Sequence, residues 1–265
     1  MAYQKKYFSQ FISIDNKTHL IEIWQNSEAT ITADEVTLMD SPFIIQLPDV
    51  GLFDPVLGMG CELNMLSKTN MQFFGSLYHI DPKEILVKHN VNGAINWLGY
   101  LNSETSRESY DQLTKYAVQF IGNDGFALLD RFYFLQLDGT NYIGVKSLFE
   151  VISICIQKIG LPFTYLNISL ATTFTGWSGG ASSTVFHEQY IDCSNFYDED
   201  NQPFTLRKVL ESVLQPFAAF IVQIGGDLYI TDTHTIAQSG SITYKRFLLS
   251  NLSYAGTLSK TVSKT

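Results

Sequence analysis

Residues Tyr190–Asp232 read YIDCSNFYDEDNQPFTLRKVLESVLQPFAAFIVQIGGDLYITD and combine a helix pattern with a hairpin pattern. Apolar residues recur there at the spacing of one helix face: Leu206, Val209, Leu210, Val213, Leu214 and Phe217. Pro216, near the end of this stripe, ends or kinks a helix. The apolar run 220–224 then faces 228–230 across Gly225-Gly226, where two glycines can take the positive φ of a tight hairpin. The segment therefore predicts a helix that supports a strand pair, as a scaffold would.

A matching pattern occurs earlier in the chain. Ser147 and Glu150 have the spacing of a capping box. The apolar stripe behind them uses the same offsets as the later helix: Leu148, Val151, Ile152, Cys155, Ile156 and Ile159. Gly160 and Pro162 end this helix, and a strand is predicted at 163–168. Any two amphipathic helices share such spacing, so internal duplication and coincidence both stay open. We expect two helix–strand units that pack together.

The first part of the chain reads mostly as short strands separated by turn residues at regular intervals. Alternating apolar residues lead up to Asn92-Gly93, the strongest short hairpin signal. The fold class predicted is a β-rich α+β protein, with an antiparallel β-barrel or sandwich followed by two small helix-plus-strand units. We expect the barrel domain at 1–140 and the α+β domain at 141–250. The Thr-, Ser- and Gly-rich segment 171–189 is predicted to be a mobile surface excursion, and 251–265 a polar tail or linker.

Composition narrows the class of function. Only 16% of the 265 residues are charged, against about a quarter in an average soluble protein, and the net charge is −9. Clustered lysines and arginines that would neutralise phosphates are missing, which argues against nucleic-acid binding. No apolar run is long enough to cross a bilayer, and the start lacks a signal core, so we expect a soluble protein made in a cytoplasm. The three scattered cysteines do not suggest disulfides or zinc, and Cys155 is expected in the core.

An apolar loop at 48–59 is the candidate subunit interface. It has the glycines and prolines of a turn region, yet it carries five apolar residues: Leu52, Phe53, Val56, Leu57 and Met59. One interpretation is that these side chains fold back onto the end of the barrel. The other is that they dock into a neighbouring subunit. The sequence leaves both open.

One sequence motif suggests an enzyme. Gly176-Trp177-Ser178-Gly179-Gly180 matches G-x-S-x-G, which in α/β-hydrolases exposes a nucleophilic serine at a strand-to-helix turn. Asp200 and His234 follow in the chain order of a triad. No helical stripe follows the motif, and the βαβ alternation of a parallel sheet is missing. A serine hydrolase built on Ser178 therefore stays an alternative that the pattern does not favour.

Other chemistry has little support. Asp198-Glu199-Asp200-Asn201 lacks the glycine and glutamate of a calcium loop, so we expect a solvated turn before a helix. The histidines show no metal-ligand spacing, and no phosphate-binding glycine motif occurs. We therefore expect no catalytic residue, no cofactor and no metal. A second alternative is a carbohydrate-binding β-protein that uses a tryptophan platform: Trp24, Trp97 or Trp177. Trp24 and Trp97 lie in strand patterns and are expected in the core.

Four passages in order resemble the tail or baseplate hub proteins of tailed bacteriophages, particularly those of phages and prophages of Bacteroidetes hosts. The first leads from Asp40-Ser41-Pro42 to a strand at 62–66, and the second, 97–101, is similar to the family's W-x-G-x-L strand. The third, 118–129, resembles its strand into a D-G-L-A-x-L turn, and the fourth spans 196–231. None of these passages is a catalytic motif, so the resemblance rests on their order and spacing.

The resemblance implies a hub fold with tail-tube-like β-barrel domains around a channel. It also implies a homo-oligomeric ring, a trimer or multiple of three, in contact with tube, distal-tail and spike or fibre proteins. We therefore expect a non-enzymatic virion tail component, synthesised in the bacterial host cytoplasm, past which DNA moves only transiently. An acidic chain suits such a conduit, because negative walls repel phosphates. Hub proteins are often longer, so the chain is a short version, a fragment of a longer hub or a different ring of the tail.

Overall fold

A computed structural model describes residues 2–47, 51, 54–69, 71–79, 81–108, 115–172, 180–238 and 240–261, without the side chains of 74, 103–108 and 238. The chain forms two compact units, 1–48 with 58–125, and 49–57 with 126–265. The boundary expected near residue 140 therefore lies at residue 126. The reason is that the segment after it bonds within the second unit: the Phe134 amide donates to the Phe204 carbonyl at 3.0 Å, and the Leu206 amide to the Phe132 carbonyl at 2.8 Å.

The chain is rich in strands and has few helices. In chain order the strands are β1 (Ala2–Ile12), β2 (Thr18–Ser27), β3 (Asp34–Glu35), β4 (Thr37–Gln46), β5 (Val56–Leu57), β6 (Gly60–Ser67), β7 (Ile85–Val91), β8 (Ala94–Glu108), β9 (Tyr116–Asn123), β10 (Val145–Ser147), β11 (Tyr165–Ser169), β12 (Tyr190–Asp192), β13 (Ala219–Ile224), β14 (Asp227–Asp232), β15 (Ser241–Leu248) and β16 (Tyr254–Thr261). The α-helices are α1 (Phe74–Leu77), α2 (Leu148–Ile159), α3 (Val185–Glu188), α4 (Leu206–Leu214) and α5 (Thr233–Gln238). Three short 3₁₀ helices span Phe126–Asp130, Cys193–Phe196 and Gln215–Phe217.

The first unit is built on one eight-stranded sheet, ordered β3-β1-β2-β7-β8-β9-β6-β4. Its pairs are antiparallel apart from the short β1–β3 pair. The sheet curves strongly: its two end strands β3 and β4 are separated in the chain by Val36 alone, and the Phe43 ring of β4 lies 4.5 Å from the His89 ring of β7. The predicted antiparallel sheet is thus confirmed. The barrel is not, because no ladder joins β4 to β1 in the described ranges.

The core of this sheet explains one of the sequence motifs. Trp97 on β8 is fully buried on the inner face of the sheet. A Cβ atom on Gly99 would lie 2.2 Å from the Asn123 carbonyl oxygen and 2.3 Å from the Trp97 ring, and a Cβ on Gly122 would lie 2.9 Å from the Cys61 sulfur. The W-x-G-x-L pattern therefore reflects a backbone position without room for any side chain.

The second unit contains a mixed six-stranded sheet, ordered β16-β15-β11-β14-β13-β5, and the pair β10–β12. The capping box predicted for α2 is present: the Glu150 amide donates to the Ser147 hydroxyl, and the Ser147 amide donates to the Glu150 carboxylate at 2.8 Å. Gly160 ends α2 in the left-handed region, at φ 81°. Helices α2 and α4 pack on each other, while β11 and β14 pair in parallel in one sheet. The expected packing of two helix–strand units is confirmed.

Two segments expected to be irregular are partly ordered. Tyr254–Thr261, inside the predicted tail, forms β16 and pairs with β15, while 262–265 lie outside the described residues. In the predicted excursion 171–189, α3 buries Phe186 completely, and 173–179 are outside the description. Across the described part of the chain, no helix has the length and apolarity to span a membrane.

Candidate interaction surface

The apolar loop predicted as a subunit interface is only partly described. Leu52 and Phe53 lie outside the described residues. Val56 is 1% exposed in β5, which pairs with β13, and Leu57 beside it is half-buried. Met59 packs against the first core, and its amide donates to the Asp124 carboxylate at 2.7 Å. The described part of the loop is thus used inside the fold, Val56 in the sheet of the second unit and Met59 against the core of the first, and not only at the end of the barrel. The interface stays a prediction.

The candidate catalytic residues are not brought together by any described contact. Ser178 lies in the undescribed segment 173–179, so the hydrolase alternative is untested. Asp200 is exposed in a turn in which the Asp198 carboxylate accepts from the Asp200 and Gln202 amides, and His234 is exposed on α5. The acidic run is therefore the solvated turn that the sequence predicted. In the described ranges, no group of three His, Cys, Asp or Glu side chains is placed to hold a metal ion.

The tryptophans give little support to a sugar platform. Trp97 is fully buried, as predicted. Trp24 is half-buried, and two ammonium groups lie over its ring, that of Lys5 at 5.5 Å and that of Lys88 at 4.4 Å from the centroid. A stacked sugar would have to displace these cations. Trp177 lies outside the described residues.

The outer edge of the eight-stranded sheet is apolar, a feature that the sequence analysis missed. β4 is the last strand on this side, and the described residues place no strand beyond it. Ile44, Ile45 and Leu47 are 39%, 36% and 75% exposed. Ile45 lies opposite the buried Cys61, so it belongs to the core face, yet it stays exposed because β4 is the last strand of the sheet in the described ranges. We call these three residues the apolar edge.

A bulge interrupts β4 just before the apolar edge. Residues 39–42 lie between the pairs Leu38–Met65 and Phe43–Leu63, so four residues stand opposite Asn64 alone. The Asn64 amide group donates to the Ser41 carbonyl at 3.0 Å, and Ser41 has a φ of 52°. Bulges of this kind re-aim side chains at sheet edges. Here the bulge takes residues 39–42 out of the ladder with β6, and pairing resumes at Phe43.

A groove of about 840 Å³ lies between this bulge and the turn that joins β1 to β2. Most of its lining is apolar, and it has two carboxylates: the lining residues are Phe11, Ile12, Ser13, Ile14, Asp15, Leu38, Met39, Asp40, Ser41 and Pro42. The Asp15 carboxylate is paired with Lys17 at 2.5 Å. Asp40 has no ion-pair partner among the described residues.

Two imidazoles connect the β1–β2 turn to the sheet. His19 Nε2 lies 3.1 Å from the Ser13 hydroxyl, and His19 Nδ1 lies 2.9 Å from His89 Nε2. The Asn96 amide group donates to His89 Nδ1 at 3.3 Å. This donor fixes the proton of neutral His89 on Nε2, so His89 donates to His19, and His19 donates to Ser13.

The chain of imidazole hydrogen bonds requires neutral rings. Burial lowers the pKa of His89 to about 4, and the neighbouring His19 contributes in the same direction. His89 is then neutral at pH 7, so its Nδ1 can accept from Asn96 while its Nε2 donates to His19. Burial also raises the pKa of the Cys61 thiol on the same core face, so this cysteine is a packing residue and not a thiolate nucleophile.

No protein-family model and no curated protein matches the chain. Among solved structures, the chain is similar to the 43 kDa tail protein of prophage MuSo2 from Shewanella oneidensis, with a TM-score of 0.41 and 15% sequence identity. The similarity covers 71% of this chain and 48% of that one, so the chain spans about half the length of the protein it matches.

Proposed function

We propose that the protein is a structural component of a phage virion tail, a hub or adaptor ring around the tail channel. In this proposal it assembles with copies of itself, as a trimer or a multiple of three, and with tube, distal-tail or spike and fibre proteins. Its first unit would complete a tail-tube-like barrel within such a ring. The observation that carries the proposal is the apolar edge of the eight-stranded sheet.

A free apolar edge is unusual for a protein that works alone. An edge strand presents unpaired amide and carbonyl groups, and natural proteins protect such strands with charges, prolines or a covering element. β4 has Pro42 and the bulge at its first half, but Phe43–Gln46 carries no charge and exposes Ile44 and Ile45. We infer that a neighbouring polypeptide covers this second half in the assembled protein.

The motifs of the tail-hub resemblance support a scaffold role. Asp40-Ser41-Pro42 forms the bulge of β4, and Gly99 in the W-x-G-x-L motif makes room for the Trp97 ring. These two of the four passages therefore have a structural reason in the described residues. A low charged fraction is also typical of surfaces that become buried between subunits, because interface cores are depleted in charge.

The experiment is to measure the mass of the purified full chain by light scattering and to image it by negative-stain microscopy. We expect ring-shaped particles, and we expect Ile44→Lys to reduce them to smaller species. Thr164→Lys is the matched control, since it adds the same charge at an exposed position of the second unit. The assembly proposal fails if the wild-type protein stays monomeric at all concentrations. Rings that persist unchanged in Ile44→Lys would instead show that the apolar edge is not the contact.

A further inference from the structure

The β1–β2 turn is a rigid projection beside the groove. We call residues 12–17 the hairpin tip. Ile12 is 67% exposed and Ile14 fully exposed, on both sides of Ser13. The Lys17 carbonyl accepts from the Ser13 amide at 3.0 Å, and the Thr18 amide at the base of the tip donates to the Asn92 side chain at 2.9 Å. An apolar projection that is already ordered loses little conformational freedom on binding.

The groove has the complementary properties. Leu38, Met39 and Pro42 supply an apolar wall, and among them lies the Asp40 carboxylate, which has no ion pair with any residue that the structure describes. The hairpin tip carries an ammonium group, that of Lys17, which is paired with Asp15 in the groove lining. An ammonium group has three donors, so Lys17 can keep its bond to Asp15 and also bind a second carboxylate.

We propose that the hairpin tip and the groove form a self-complementary contact between two copies of this chain, in which Ile12 and Ile14 of each copy enter the groove of the other. Lys17 of each copy then binds Asp40 of its partner. Residues 12–15 of the tip themselves line the groove, so the tip and the groove form one continuous patch. A two-fold axis through this patch brings each part into contact with its counterpart on the other copy. Such an interface uses the same patch on both copies.

The contact proposed here is different from the contacts that would form a ring. A two-fold contact closes after two copies, whereas a ring requires head-to-tail contacts between different patches. The hairpin-tip contact would therefore join two rings, or two free subunits, and its failure leaves the ring proposal intact. The apolar edge is a different set of residues, so the two surfaces can be tested by separate variants.

Charge reversal tests the contact on the full chain. Light scattering over a wide concentration range gives the dissociation constant of the dimer, or of paired rings. We expect Lys17→Asp and Asp40→Lys each to weaken this association about tenfold or more, because like charges then face each other. An equimolar mixture of the two variants should associate as the wild type does, since each tip again meets an opposite charge. The double variant should recover in the same way.

Matched controls and a cross-link complete the test. Lys68→Asp and Glu199→Lys make the same charge changes at exposed positions elsewhere and should leave the association unchanged. Thermal unfolding confirms that each variant folds, and Asp40→Asn replaces Asp40→Lys if the latter does not. Ile14→Cys mixed with Met39→Cys should give a disulfide-linked dimer on oxidation, because the native Cys61, Cys155 and Cys193 are buried.

Three results would overturn the proposal. They are a wild-type protein that shows no two-fold association, charge variants that associate as well as the wild type, and a mixture that does not recover. Rings whose pairing is insensitive to Asp40→Lys overturn this contact while supporting the ring. A wild type that forms charge-sensitive dimers but never rings supports this contact and contradicts the ring.

Discussion

The two sheets of the molecule bury their apolar faces in different ways. The six-stranded sheet is covered by helices: α2 places the Phe149 ring 4.9 Å from Phe247 of β15. The eight-stranded sheet curves, so that its own strands face each other, as Phe43 of β4 faces Trp97 of β8 at 5.7 Å. Helices bury the face of a sheet by packing on it. A sheet that buries its face by curving must close completely to protect its end strands, and if it does not close, an edge such as β4 stays exposed. The curved sheet thus leaves the apolar edge of β4 open to a partner.

The largest effect on stability is expected from closing the space at Gly99. Gly99→Ala would place a Cβ 2.2 Å from the Asn123 carbonyl oxygen, where neither strand can yield without losing its ladder. Overpacking of a core costs about 1–3 kcal/mol and occasionally more, and we expect a loss of about 3 kcal/mol in the free energy of unfolding. Urea unfolding measures it.

Gly75→Ala is the control for this prediction. Gly75 lies in α1, and no atom lies within 4 Å of its Cβ position. The same substitution there should be neutral or slightly stabilising, because alanine favours helix. A Gly99→Ala variant as stable as the wild type would show that the curved sheet can relax, and that its core is looser than the helix-covered one.

The second-largest effect on stability is expected from acid, which should destabilise the eight-stranded sheet. Burial lowers the pKa of His89 to about 4, below the ordinary 6.5, so the folded protein binds fewer protons than the unfolded chain between these values. The free energy of unfolding therefore falls as the pH is lowered from about 6.5 to 4, on the order of 2–3 kcal/mol from this group at about 1.4 kcal/mol per pKa unit. Above pH 6.5 the contribution is fully present.

Two variants separate this contribution from that of the carboxylates. His89→Gln should flatten the dependence of unfolding free energy on pH between 6.5 and 4. His187→Gln is the counterpart in the second unit, where burial also lowers the pKa of a histidine, whose ring is stacked on Phe149 at 3.9 Å. If the pH dependence is equal in the wild type and in His89→Gln, the imidazole network does not sense acid.

Local signals in the sequence are sufficient for helix α2 and for the β13–β14 hairpin. The Ser147–Glu150 box, Gly160 and the Gly225-Gly226 turn specify their elements through neighbours a few residues away, and the structure follows them. Val56 is different, because a strand of two residues is too short to show alternation. The sequence therefore predicts a loop there and leaves open whether Val56 folds back or docks into a neighbour.

The main features of the interaction surface depend on distant pairs. His19 and His89 are 70 residues apart and meet only because β2 pairs with β7. The exposure of Ile44 depends on β4 being the last strand, and strand order is not encoded in alternation. Periodicity states which residues share a face of a strand. It does not state whether another strand covers its edge.

A moderate effect is expected from the cap of α2, which tests how far the helix-covered sheet depends on local signals. Ser147→Ala removes the acceptor of the Glu150 amide and should cost about 1 kcal/mol. Ser182→Ala is the control, since Ser182 is exposed and its side chain makes no hydrogen bond among the described residues. Thermal unfolding of both variants checks the prediction. If Ser147→Ala lowers the free energy of unfolding as much as Gly99→Ala does, helix α2 contributes more to the stability of the fold than one cap accounts for.

The smallest effect is expected at the apolar edge. Ile44 is 39% exposed and lies opposite Glu62, so Ile44→Lys removes little burial and places an ammonium group near a carboxylate. The free energy of unfolding of the isolated subunit should change by less than about 0.5 kcal/mol, as for other exposed positions. Urea unfolding at low protein concentration measures this without the contribution of assembly. A loss above about 1 kcal/mol would mean that Ile44 is already covered within the single chain. The eight-stranded sheet would then have no open edge at β4, and it would not differ in this respect from the helix-covered sheet.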